Sequence, residues 1–202
     1  MKLMTVFALV LSTHAVAGEE ILLKVDRLLA KDSYGAAFKC GDSTREKSQS
    51  RFGTEVYDYS TVAHVKECGA VTVIESNDLD DAEDTWTETI SESQYKAGAG
   101  NPLRIFDAAR GMKVQESRFD WDSATARKLN YLGKKRNALI VKGRGEVCFE
   151  DEESQETCAQ AEVTVTIVQG VPFLARMAQS SIVIPAWDLS GTTSISSFTR
   201  NH

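Results

Sequence analysis

Two segments in the C-terminal half of the chain alternate between apolar and polar residues, and they constrain the fold more than any other feature. Asn137–Glu150 and Cys158–Val168 each place an apolar or small residue at every second position. In an extended strand such residues share one face, which covers a core. The positions concerned are Leu139, Val141, Gly143, Gly145, Val147 and Phe149 in the first segment, and Ala159, Ala161, Val163, Val165 and Ile167 in the second.

In one register of these two strands, several opposed side chains are complementary in charge or size. When Cys148 stands opposite Cys158, Arg144 faces Glu162 across the hairpin. Opposite charges, and small residues against large ones, are what a paired register should contain. The remaining opposed pairs are Gly143 with Val163 and Val141 with Val165. The pattern therefore predicts an antiparallel hairpin closed by a disulfide.

The chain has four cysteines, Cys40, Cys68, Cys148 and Cys158. An even number of cysteines in an exported chain indicates disulfides, and four cysteines allow three connectivities. Because the hairpin favours Cys148–Cys158, we expect the other pair to be Cys40–Cys68.

The N-terminus indicates export. Lys2 precedes an apolar run, Leu3–Leu11, and Ala15-Val16-Ala17 matches an A-x-A cleavage site. We expect residues 1–17 to be a cleaved signal peptide and residues 18–202 to form a single globular domain in the periplasm or outside the cell. No later apolar stretch reaches the roughly 20 residues that a membrane span needs, so we expect no transmembrane segment in the mature chain.

Three segments carry helical signals. Glu19–Lys31 places its apolar residues on one helical stripe, although an extended strand is the competing interpretation. Asn101-Pro102 is typical of a helix start, and Gly111 of its end. Ser123–Leu132, followed by Gly133, is predicted to be a third short helix.

The other segments favour strands. Tyr34–Cys40 and Glu55–Glu75 are rich in strand formers, whereas the polar stretch Asp42–Ser50 is typical of a mobile loop. Four consecutive C-terminal strands imply an antiparallel meander. They are Asn137–Glu150, Cys158–Val168, Val171–Ile184 and Thr192–Arg200. The fold class predicted is α+β, dominated by antiparallel sheet, with two or three short helices and disulfide bonds.

Charge is segregated along the chain. The formal net charge is −6, and loss of Lys2 with the leader makes it −7, which argues against nucleic acid as a partner. Glu67–Glu92 contains nine acidic residues and no Lys or Arg, whereas Ser123–Gly145 contains seven basic residues and no acid. Within the basic block, Lys134, Lys135 and Arg136 form the candidate site for an anionic glycan, a lipid head group or an acidic protein.

Motifs for catalysis are scarce. The sequence contains no H-E-x-x-H, no G-x-S-x-G and no P-loop. After loss of the leader, any His-based nucleophilic site would rely on His64, four residues before Cys68. The acids of Asp78–Asp84 and Glu150–Glu156 crowd together without EF-hand spacing. We therefore expect no cofactor and no metal.

These observations favour a non-enzymatic, disulfide-stabilised binding or accessory protein of the cell envelope. Its partner would be an envelope or extracellular protein, or an anionic glycan or lipid head group. Two alternatives remain: a small secreted hydrolase with an unrecognised site, and a calcium-dependent adhesin-like module.

Overall fold

A computed structural model describes residues 18–29, 32–80, 85–99, 101–103, 118–150 and 156–200. Most of these residues belong to one nine-stranded antiparallel sheet. The strands are β1 Ser43–Phe52, β2 Glu55–Glu67, β3 Val71–Asp78, β4 Thr85–Ser91, β5 Arg118–Tyr131, β6 Lys134–Glu150, β7 Glu156–Val168, β8 Met177–Ile184 and β9 Leu189–Thr199. The protein is therefore mostly β, and this agrees with the predicted dominance of antiparallel sheet.

Short helices accompany the sheet. Residues 18–29 form α1, Tyr34–Ala37 form α2, and Glu92–Gln94 form α3, which continues into a π-helical turn over Tyr95–Ala99. Single 3₁₀ turns precede β8 and β9, at Phe173–Ala175 and Pro185–Trp187. In the part of the chain that the structure describes, no helix has the length and apolarity needed to cross a bilayer.

The strand order is β4-β3-β2-β1-β9-β8-β7-β6-β5. Two meanders, β1–β4 and β5–β9, are joined where β1 pairs with β9. As a result, the described residues of the acidic block lie in or next to β3 and β4, towards one edge of the sheet, and the basic block lies in β5 and β6 at the other edge.

Helix α1 covers the core of the β5–β8 half. Ile21, Val25 and Leu29 recur every four residues, and all three are buried. They pack in one apolar cluster with Trp121 and Val163. We call the face of the sheet that carries this cluster the inner face. The helical interpretation of Glu19–Lys31 is confirmed for residues 18–29.

A second cluster on the inner face occupies the other half of the sheet. Here Phe38, just after α2, packs with Val65, Ile74 and Ile90 from β2, β3 and β4. Phe173 closes the cluster, with its ring centroid 4.8 Å from that of Phe38. The two helical layers therefore cover different parts of one face.

The β6–β7 hairpin has the register that the alternation predicts. Arg144 pairs with Glu162, and Cys148 pairs with Cys158. A disulfide joins these two cysteines, and a second disulfide joins Cys40 to Cys68.

Position 143 requires a residue without a side chain, because the Trp121 ring of β5 lies over it. A Cβ atom at Gly143 would meet the Trp121 ring at 2.7 Å and the Asp120 carbonyl oxygen at 2.9 Å. We expect Gly143→Ala to lower the free energy of unfolding by about 2 kcal/mol, measured by urea denaturation, because overpacking forces backbone and ring to shift. Gly69→Ala is the control, since its Cβ would meet nothing within 4 Å. Equal losses for the two variants would contradict the packing argument.

The predicted helix over Ser123–Leu132 is wrong: these residues belong to β5 and the turn that follows it. Their Ala, Arg, Lys and Leu residues suit a helix. However, Leu132-Gly133 forms a tight turn that brings Tyr131 opposite Lys134, and β5 pairs with β6 over nearly its whole length. Long-range pairing thus overrides local propensity.

Two further predictions in the N-terminal half are wrong. Tyr34–Cys40 was expected to be extended, but Tyr34–Ala37 form α2, with the Ser33 hydroxyl accepting from the Ala36 N–H at 3.3 Å. Asp42–Ser50 was expected to be a loop, but Ser43–Phe52 form β1. A strand this polar is stable here because β2 and β9 flank it on both sides.

The remaining segments agree in part with the sequence pattern. Asn101 caps the helical residues 102–103, its Oδ1 accepting from the Leu103 N–H at 3.0 Å, and the rest of that predicted helix lies outside the described residues. The predicted strand Val171–Ile184 is shorter, because a 3₁₀ turn precedes β8. The predicted signal peptide also lies outside the described residues.

Candidate functional site

Part of the inner face carries exposed aromatic side chains. Phe52 of β1 and Tyr57 and Tyr59 of β2 are 55%, 54% and 39% exposed. Phe52 stands opposite Leu189, which packs against the core cluster under α1, so the aromatic residues lie on the core side of the sheet. We call Phe52, Tyr57 and Tyr59 the open aromatic surface.

This surface exists because the β1–β2 hairpin is longer than its neighbour β3. The β2–β3 pairing begins at Thr61, opposite Asp78. Beyond it the chain turns away: the Leu79 N–H donates to the Ser60 carbonyl at 2.8 Å, and the Ser60 N–H donates to Asp80 Oδ2 at 3.2 Å. The part of β2 that carries Tyr57 and Tyr59 therefore has no β3 partner.

The tip of the same hairpin is anchored to the turn before β9. The Gly53 N–H donates to the Asp188 carbonyl at 3.0 Å. Gly53 has a φ of 58°, a conformation that glycine adopts without steric cost. Trp187, from the same turn before β9, packs against the core cluster. A hydrogen bond between the β1–β2 turn and the turn before β9 therefore fixes the end of the hairpin that carries the open aromatic surface.

Each ring of this surface has a polar neighbour on the adjacent strand: Ser48, Ser50 and Glu55 stand opposite Tyr59, Tyr57 and Phe52. Ser48 and Thr193 stand on the inner face of β1 and β9, with their hydroxyl oxygens 2.9 Å apart. The Tyr57 hydroxyl donates to the Glu55 carboxylate, and this hydrogen bond raises the pKa of Tyr57. The phenol therefore stays neutral at physiological pH. The surface as a whole suits an apolar group that also carries a few hydrogen-bonding positions.

A buried arginine links the helices to the sheet beside the second cluster. Arg176 is 1% exposed, and its Nη2 lies 3.2 Å from Asp32 Oδ2. The Arg176 guanidinium also contacts the Tyr95 hydroxyl and lies 5.2 Å and 5.9 Å from the ring centroids of Tyr95 and Phe173. Burial raises the pKa of Tyr95, and the Arg176 charge opposes that rise. These contacts hold three segments together, so we assign the cluster a structural role.

The residues of the predicted anionic-partner site do not share one surface. Lys134, Lys135 and Arg136 begin β6, so alternation places Lys135 on the face opposite to the other two. Arg136 donates to the backbone carbonyls of Tyr131 and Gly170. Lys134 and Lys135 are exposed beside the β5–β6 turn.

In the sequence His64 stands four residues before Cys68, but in the sheet the neighbours of His64 on the adjacent strands are other residues. Ser43 and Glu75 flank His64 in the adjacent strands, so a serine, a histidine and an acid stand in one row. The Glu75 carboxylate pairs with Lys66 at 2.8 Å, and no hydrogen bond joins Ser43 to His64 within the described chain. Cys68 is oxidised in its disulfide. The row therefore lacks the nucleophile–base contact that acyl transfer uses.

The acidic clusters are described only in part. Asp78 Oδ1 accepts from the Asp80 N–H at 2.8 Å, and Asp80 accepts from Ser60, so both carboxylates serve the turn after β3. Within the residues that the structure describes, no group of three potential ligands is placed to hold a metal ion. The other acids of that cluster, and the cluster at the β6–β7 turn, lie outside the described side chains.

Comparison with known proteins defines no family for this chain. No family model matches the sequence, and no curated protein matches it. Among solved structures, a DUF1329 family protein from Desulfovibrio piger is 9% identical, with 92% of each chain covered and a TM-score of 0.35. A putative outer membrane lipoprotein-sorting protein domain from Vibrio parahaemolyticus is 11% identical, covers 88% of this chain and 91% of its own, and has a TM-score of 0.36. TM-scores this low carry no functional argument.

Proposed function

We propose that this protein is an exported, non-enzymatic binding protein that holds the apolar part of a small envelope molecule on the open aromatic surface. The observation that carries the proposal is the exposure of Phe52, Tyr57 and Tyr59 on the face that forms the core elsewhere in the sheet. Two disulfides support an oxidising compartment outside the cytoplasm.

The size of the surface favours a small molecule over a protein partner. Three aromatic side chains, each about half exposed, offer roughly 300 Å² of apolar area. A stable protein–protein interface buries about 800 Å² on each partner. A ligand of that smaller size would lie on the aromatic rings and next to Leu189, which stands opposite Phe52 on the same face.

The proposal is tested with the uncharged fluorophore 1-N-phenylnaphthylamine, whose emission rises in apolar surroundings. We expect the wild-type protein to bind the fluorophore. The double variant Phe52→Ser/Tyr57→Ser should bind it at least roughly tenfold more weakly, because each substitution removes a ring whose apolar area the fluorophore would cover. Because both side chains are exposed, stability should change by no more than about 0.5 kcal/mol per site.

Val183→Ser is the matched control. Val183 is 42% exposed and stands opposite Glu162 and Ser190, on the other face of the sheet. Its replacement should leave the fluorescence titration unchanged. No binding by the wild-type protein, or an equal loss in the control, would show that the open aromatic surface is not the binding site.

A further inference from the structure

The turn between β5 and β6 has an unusual residue at its tip. Leu132 and Gly133 have φ values of 48° and 73°, and Tyr131 pairs with Lys134 across them. A two-residue turn with both φ values positive is usually formed by Asn-Gly or Asp-Gly. A leucine in the left-handed region is sterically unfavourable. The chain therefore keeps a strained apolar residue where a polar one would fit better.

The side chain at this tip is exposed, and basic residues lie on both strands that lead to it. Leu132 is 37% exposed. Arg127 and Lys128 precede it on β5, Lys134 and Lys135 follow it on β6, and all four basic residues are exposed. We call these five residues the cationic tip. The sequence from Ser123 to Gly145 contributes no acid to neutralise it.

Contacts behind the turn fix its position. The Tyr131 hydroxyl donates to the Ala175 carbonyl at 2.9 Å, and burial, with a contribution from Glu46, raises the pKa of Tyr131. Arg136 bonds the carbonyls of Tyr131 and Gly170. The strand directions place the cationic tip at the end of the sheet opposite to the β1–β2 hairpin and its open aromatic surface.

We propose that the cationic tip docks on an anionic phospholipid bilayer surface, with Leu132 entering the interface and the four basic residues meeting lipid phosphates. An exposed apolar side chain at the tip of two strands that carry exposed cations matches the interface, where acyl chains lie beneath negative head groups. The exposed leucine distinguishes this occupant from a soluble polyanion, which would need the cations alone. The cationic tip and the open aromatic surface lie at opposite ends of the sheet, so membrane docking does not depend on the proposed binding function.

Vesicle co-sedimentation of the mature protein tests the proposal, comparing phosphatidylcholine alone with mixtures of phosphatidylcholine and phosphatidylglycerol. We expect binding to the mixed vesicles, weakened by salt, and little binding to phosphatidylcholine. Lys134→Gln/Lys135→Gln should weaken binding roughly 30-fold, since each basic residue near such a surface contributes about fivefold. The control, Arg45→Gln/Lys47→Gln, removes two exposed cations from β1 and should bind like the wild type.

Leu132→Asn separates a bilayer from a soluble polyanion. Asparagine tolerates the left-handed conformation, so the melting temperature should stay the same or rise while vesicle binding falls. Loss of binding without loss of stability is the expected result. Wild-type vesicle binding by Leu132→Asn, together with full competition by inositol hexaphosphate, would show a phosphate site only. That result, equal binding to both vesicle types, or no binding at all would overturn the proposal.

Discussion

Replacing Arg176 with methionine is expected to lower the free energy of unfolding by about 3 kcal/mol. Methionine keeps much of the packing volume but leaves the Asp32 carboxylate without its guanidinium partner. Removing one member of a buried ion pair is costly because the other charge stays in a poorly solvated site. The contacts with Tyr95 and Phe173 are lost as well. Urea denaturation measures the change.

Two comparisons isolate the cause of this loss. Adding Asp32→Asn to Arg176→Met should recover part of the stability, because the unpaired charge is removed. Arg144→Ala breaks an exposed pair with Asp122, whose N–O distance is 3.0 Å, and should cost less than about 1 kcal/mol. A double variant less stable than Arg176→Met alone would contradict the assignment of the loss to Asp32.

Loss of the Cys40–Cys68 disulfide is expected to destabilise the protein by about 3.5 kcal/mol. The two cysteines are 28 residues apart, and a long loop gains more chain entropy in the unfolded state when its crosslink is removed. For Cys148–Cys158, separated by 10 residues, the same relation gives about 2.8 kcal/mol. The measurement compares Cys40→Ala/Cys68→Ala with Cys148→Ala/Cys158→Ala by guanidinium denaturation.

The order of these two losses is the informative result. The Cys148–Cys158 pair lies within a hairpin whose register is also set by twelve other paired positions along β6 and β7. The Cys40–Cys68 pair closes the open end of the β1–β2 hairpin, which has ten paired positions of its own, and it encloses the longer loop. A larger loss for the hairpin disulfide would contradict the loop-entropy argument.

The sequence predicted best where neighbouring segments are also neighbours in the sheet. The β6–β7 hairpin followed from alternation and one cysteine pair, and α1 followed from its apolar stripe. The helix predicted over Ser123–Leu132 was wrong, because these helix-forming residues lie in β5, which a tight turn pairs with β6. The loop predicted over Asp42–Ser50 was wrong, because one of the two strands that pair with β1 is β9, at the far end of the chain.

The open aromatic surface could not be predicted for the same reason. Alternation shows that Tyr57 and Tyr59 share a face, but the β1–β9 register decides that this is the core face. Phe52 joins them through its pairing with Leu189. The basic block was visible in the sequence, but the proposed cationic tip is centred on Leu132 rather than on Lys134-Lys135-Arg136. The positive φ of Leu132 is a property of the turn that residue patterns do not reveal.

Hydrogen–deuterium exchange of the mature protein with and without 1-N-phenylnaphthylamine tests the central claim most directly. Residues 56–58 pair with β1 but have no β3 partner, so the alternate amides that point away from β1 should exchange readily without ligand. We predict that the probe slows exchange in residues 48–59 and 189–193 and leaves the β5–β6 turn unchanged. Protection confined to β5–β8, or no protection in either of the predicted segments, would contradict binding at the open aromatic surface.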